Sequence, residues 1–135
     1  MRLPWIITVF LMLAPLAQAK EVHVQAGADA LATAIAGAKP GDVLLLEPGQ
    51  YAGPVVVDRP LVIDGQGAAV VDGGGVGTVL TITADDVTLR GLVVQNSGGI
   101  NQAIDSGIKI VKGVKRALVE NNHLINNMHG VDVHG

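Results

Sequence analysis

Three residues near the end of the sequence, Met128, His129 and His134, are of types that hold soft or borderline metal ions. They lie in "NNHLINNMHGVDVHG", residues 121–135, together with His123 and four asparagines. A thioether next to an imidazole suits Cu(I). Asp132 and His134 are two apart, so on a strand they share one face at roughly 7 Å and can share an ion. Each pattern has a plainer use. Methionine fills irregular gaps in packing. Asn121, Asn122, Asn126 and Asn127 at chain corners predict stacked amides bonding from turn to turn. His123, just before Leu124-Ile125, is expected to stack on Leu92 and be partly covered. Asp132 is expected beside Lys109 in a surface ion pair worth less than about 1 kcal/mol. The adjacent Asp85 and Asp86 read as a turn that bonds its own backbone. His23 stands alone and is expected in solvent.

Composition narrows the chemistry. There is no cysteine among the 135 residues, so thiolate metal sites and disulfides are excluded. The start, "MRLPWIITVFLMLAPLAQA", has one cation, an apolar run of about ten residues and a small-residue Ala-Gln-Ala site. It reads as a cleavable signal peptide over 1–19, too short an apolar run to span a bilayer. Beyond it, eight Lys+Arg face twelve Asp+Glu, a balance that argues against nucleic acid as partner. Tyr51 is the one aromatic residue after the leader. The core must therefore be aliphatic, and the glycines between short β-branched runs predict many short strands.

Those runs repeat. "VVVDRPLVIDGQG", "LTITADDVTLRGLVVQN", "IKIVKGVKRALVENNHLINN" and "VDVHG" start alike at Val55, Leu80, Ile108 and Val131. The widest spacing contains "SGGINQAIDSG", which reads as a loop insertion. A period of 20–30 residues with three short strands predicts a right-handed parallel β-helix, an all-β solenoid with coils about 4.8 Å apart. Stacking predicts inward columns Val55/Val57, Leu80/Ile82, Ile108/Ile110 and Val131/Val133, then Leu61/Ile63, Val87/Leu89 and Ala117/Val119. It also predicts an outward column Asp64, Arg90, Glu120 of alternating sign. The third strands are aligned as Val70-Val71, Val93-Val94 and Leu124-Ile125. Outward first-strand positions read Val56, Thr81, Lys109, Asp132 and Asp58, Thr83, Val111, His134, with no acidic cluster of the kind glycan chemistry uses. Before the coils, "ADALATAIAGAKPGD" predicts an amphipathic helix that caps the open end of the solenoid. The expected organisation is a signal peptide at 1–19, a cap-helix region at 20–41 and coils over 42–135. The last coil stops one strand in, so a longer protein is expected.

The stretches "ALATAIAGAKPGDVLLLEPGQYAGPVVVDRPLVIDGQG", "VLTITADDVTLRGLVVQNSG" and "ALVENNHLINN" together resemble the NosD family of periplasmic β-helix proteins. Their opening is shared with carbohydrate-active β-helices such as pectin esterases and lyases. The resemblance implies a non-enzymatic periplasmic accessory protein for copper-centre assembly of nitrous-oxide reductase. It implies partnership with the membrane and ATPase subunits of an ABC transporter, and with the reductase or a copper chaperone. Copper is the implied ion, and Met128, His129 and His134 are the candidates to meet it. The alternative function is a carbohydrate-active β-helix: a lyase, esterase or epimerase.

Overall fold

The computed structural model describes residues 19–135. The signal-peptide segment falls on residues 1–18 and Ala19, so it lies almost wholly outside the described residues. Eleven strands and one helix follow: β1 (Glu21–Val24), α1 (Ala30–Gly37), β2 (Val43–Leu46), β3 (Gly49–Ala52), β4 (Val55–Val57) and β5 (Val62–Asp72), then β6 (Leu80–Ile82), β7 (Thr88–Gln95), β8 (Ser106–Ile110), β9 (Leu118–Glu120), β10 (His123–Ile125) and β11 (His129–Val133).

All strand pairs are parallel, and each strand pairs with its counterpart one coil away. This is a parallel β-helix. One sheet runs β4-β6-β8-β11, and the other runs β1-β2-β5-β7-β10, with β3 on β5 and β9 on β7. The first-strand columns are those read from the sequence: Val55 lies beside Leu80, Leu80 beside Ile108 and Ile108 beside Val131. In the second strands Ile63, Leu89 and Val119 stack, and Asp64, Arg90 and Glu120 stack beside them facing out. Arg90 Nε donates to Asp64 Oδ2 at 2.9 Å. Alternation of branched aliphatics produces this order, because one parity of every strand must leave water. Leu44, Leu46, Ile63, Leu89, Val94 and Ile108 are fully buried.

The cap is a helix plus a strand. Leu31 and Ile35 of α1 are buried against the first coil, and Ala38 closes the helix with its N–H on Ile35 O. Arg59 of the first coil donates to Ala36 O and Ala38 O, satisfying carbonyls left open at the helix end. Within the region expected to hold only the cap helix, β1 instead pairs with β2 from Glu21–Val43 to Val24–Leu46. "EVHV" alternates, but four residues are too few to register as a repeat. Tyr51 plugs the lumen at this end. Its hydroxyl donates to Glu47 O at 2.7 Å and also lies 3.0 Å from Val24 O, and burial raises its pKa, with nearby Glu47 adding to the effect.

Candidate functional site

The terminal stretch forms the last described corner of the solenoid, where β10 passes to β11. Its asparagines make two copies of one device. Asn122 Nδ2 donates to Leu89 O at 2.9 Å while its Oδ1 accepts from the Leu92 N–H at 3.0 Å. Five residues on, Asn127 Nδ2 donates to Val94 O at 3.0 Å and its Oδ1 accepts from the Ser97 N–H at 3.1 Å. Each amide thus closes the corner of the coil beneath it. Asn121 and Asn126 adopt φ of 53°, the left-handed turn conformation that asparagine tolerates. Asn126 Nδ2 donates to Asn96 Oδ1 at 2.7 Å, and Asn96 Nδ2 to Asp72 Oδ2 at 2.9 Å. The amide ladder therefore crosses three coils and ends on a carboxylate. Gln95 Nε2 also donates to Asp72 Oδ2, and the Gly74 N–H to Oδ1. The Gln95 amide first, then these other donors, hold the Asp72 carboxyl below its ordinary pKa.

The metal candidates lie on this corner and along β11, but not together. Met128 is exposed and lines a shallow groove of about 300 Å³ with Ser97, Gly98, Gly99, Asn126 and Asn127. Its own N–H donates to Ser97 Oγ at 2.8 Å. His129 opens β11 in register with the fully buried Ser106, on the lumen side. Its Nδ1 is buried with no hydrogen-bond partner. Neighbouring residues of an extended chain point apart, so Met128 and His129 serve different faces. His134 follows the other end of β11, five residues and roughly 16 Å along the strand from His129. There its Nε2 meets Asp132 Oδ2 at 2.6 Å. Among the described residues no group of three His, Cys, Asp or Glu side chains could hold an ion.

Three expected contacts are corrected. Lys109 and Asp132 are register neighbours, yet they form no ion pair. Lys109 Nζ donates to Ala103 O in the inserted loop, and Asp132 has taken its own-strand histidine. A face-sharing partner two residues away needs no second long side chain to be ordered. His123 pairs with Val93, not Leu92, and is exposed. Asp85 and Asp86 lie at a bend as expected, but their carboxylates bond the next coil and not the backbone of that bend. Asp85 Oδ1 accepts the Lys115 N–H at 2.7 Å, and Asp86 takes Arg116 Nε and Nη2 at 2.6 and 3.0 Å. His23 is mostly exposed as expected, but its Nδ1 lies 3.1 Å from Glu47 Oε1.

A second open groove, about 400 Å³, lies one corner nearer the cap between Ala28, Gln50, Ala52, Gly53, Asp72 and Gly74. It follows the same side of the solenoid as the Met128 groove. The sequence reading missed both, since each arises from small residues flanking an outward amide or carboxylate rather than from a recognisable motif.

No protein-family model matches the chain. Over 79 residues, 58% of its length, it is 37% identical to a protein of Pseudomonas aeruginosa named probable ABC transporter binding protein NosD. Over 90 residues it is 31% identical to the protein of the same name from Stutzerimonas stutzeri. The chain spans about a fifth of the length of these relatives, 18% and 21% respectively. Among solved structures, the PL6 family alginate lyase AlyGC superposes on 86% of the chain with a TM-score of 0.68 and 26% identity, using 18% of the lyase. Its R241A mutant superposes with a TM-score of 0.61. The chain is a parallel β-helix that is similar, over part of their length, to these two proteins named NosD.

Proposed function

We propose that the chain is an exported, non-enzymatic accessory protein that works with an ABC transporter in assembling the copper centre of nitrous-oxide reductase. The observation that carries this is the sequence likeness to two proteins each named probable ABC transporter binding protein NosD. A signal segment at 1–19 supports export to the periplasm. A rigid solenoid also suits a docking role, because stacked coils present side chains at fixed spacing along an extended face. Copper enters as cargo. Met128, His129 and His134 do not fit one centre, since they lie on different faces and at opposite ends of β11. The reading that best suits the geometry is docking rather than ligation by these three residues.

The test is the copper content of nitrous-oxide reductase purified from the source organism with and without an intact gene. Loss of the catalytic copper on deletion is expected. Complementation with a Met128→Ala, His129→Leu, His134→Ala triple variant should then restore it. A fully loaded enzyme after deletion overturns the maturation role. Failure of a folded triple variant to complement overturns the docking view in favour of direct ligation.

A glycan-directed function is the second reading, favoured by the likeness to an alginate lyase. It predicts release of unsaturated sugar ends when the full-length protein is incubated with alginate. The accessory role predicts none.

A further inference from the structure

The one concentration of positive charge lies away from the grooves. The eight residues from Lys109 to Arg116, "KIVKGVKR", hold four cations and no acid. From residue 20 onward the chain has only eight Lys+Arg against twelve Asp+Glu, so half of its cations fall in this span. The segment forms the corner between β8 and β9, and it is held firmly. The Val111 N–H donates to Ile82 O at 3.2 Å. The Val114 N–H closes a turn onto Val111 O at 3.3 Å, with Gly113 at φ 89°. Lys112 and Gly113 are thus the two central residues of a tight turn, and Lys112 is presented at its apex. Val114 packs against the core behind it. Lys115 is pinned by its backbone, N–H to Asp85 and O from the Asp86 N–H.

The four cations are not equivalent. Arg116 is spent on Asp86 and Lys109 on Ala103 O. The Lys112 and Lys115 ammonium groups are exposed and make no ion pair among the described residues. One coil below, the Asp86 carboxylate is taken by the Arg116 guanidinium, while Asp85 accepts the Lys115 backbone N–H, so the Lys115 ammonium is left without a carboxylate among the described residues.

We propose that the Lys112–Lys115 turn is a docking surface for an acidic segment of a partner protein. The turn is rigid, so little chain entropy is lost on contact, and two ammoniums on a net-negative molecule single out one orientation. Charge complementarity is the basis of the choice; the contact is local and independent of the metal candidates.

The test uses the full-length protein and a fluorescent decaglutamate peptide at low ionic strength. A Lys112→Glu, Lys115→Glu variant is expected to weaken binding tenfold or more. The Lys112→Gln, Lys115→Gln variant should weaken it less, and a Lys20→Glu, Lys39→Glu control of equal net charge should stay within twofold of the parent. Circular dichroism must be unchanged throughout. Equal losses in the control mean net charge alone is read, which overturns the proposal. Absence of peptide binding overturns it too. Capture by phosphatidylglycerol vesicles without peptide binding assigns the turn to an anionic membrane surface instead.

Discussion

Replacing Asn122 by Ala tests the amide device directly. The side chain supplies one donor to Leu89 O and one acceptor to the Leu92 N–H, both across a coil boundary. A net hydrogen bond of this kind contributes about 1 kcal/mol, and a buried backbone group left unpaired costs about 1–3. Leu92 itself is buried, so water reaches its amide poorly. The sum is a loss of about 2–4 kcal/mol. With a mid-range urea slope of about 2 kcal/mol/M, the midpoint should fall by about 1–2 M at constant slope. Amide exchange gives the local readout. If opening of the corner costs about 2 kcal/mol less, the Leu92 N–H should exchange about 30-fold faster. Asn122→Asp is the sharper variant, because it keeps an acceptor for Leu92 but turns a charged oxygen toward Leu89 O. It should be no better than Asn122→Ala at neutral pH. A loss under about 0.5 kcal/mol for Asn122→Ala, with Leu92 exchange unchanged, would refute the two-ended role.

Other substitutions probe separate physics. Gly65→Ala should cost more than about 2 kcal/mol, since its Cβ would meet Gly91 O and Leu92 Cδ2 across the coils. Gly67→Ala has open space but a φ of 82°, and should cost only about 1 kcal/mol, so denaturation of the pair separates collision from backbone strain. The Asp72 carboxyl is held below its ordinary pKa by Gln95, Gly74 and Asn96, so its contribution is complete above about pH 4 and is lost as pH falls through its lowered value. Asp72→Asn should therefore be less stable than the parent at pH 6, and the gap should narrow at pH 3 in thermal melts. His129→Leu removes the unpartnered Nδ1 and should leave stability unchanged or raise it by up to about 1 kcal/mol. A loss of more than about 1 kcal/mol in calorimetry would refute the view that Nδ1 is unpartnered.

Much of the solenoid was legible because aliphatic alternation is a strong constraint. The column from Val55 to Val131 was readable by parity alone, and so was the charge column Asp64, Arg90, Glu120. The cap helix was legible through Leu31 and Ile35. What escaped was set by loops rather than by periodicity. The inserted stretch of residues 98–104 carries Ala103 O to Lys109, and nothing in the spacing of charges announces a backbone carbonyl as competitor for Asp132.

The one-residue error at His123 has a more instructive cause. Aligning apolar pairs put Leu124-Ile125 on Val93-Val94, whereas the strands pair Leu124 with Val94 and His123 with Val93. The column that includes Ala69 and Leu92, both buried and paired with each other, is thereby continued by Asn122. An asparagine stands in an aliphatic column because its amide answers the Leu89 carbonyl and the Leu92 amide, which a leucine there would leave unpaired. Hydrophobic matching assumes that inward means apolar, and it fails at a corner whose backbone must be satisfied by the coil above. The consequence reaches function: where Asn122 and Asn127 turn their amides onto the coil beneath, the residues that follow them, His123 and Met128, are exposed. The same polar requirement that secures the corner thus decides which of the soft side chains face solvent and which face the lumen.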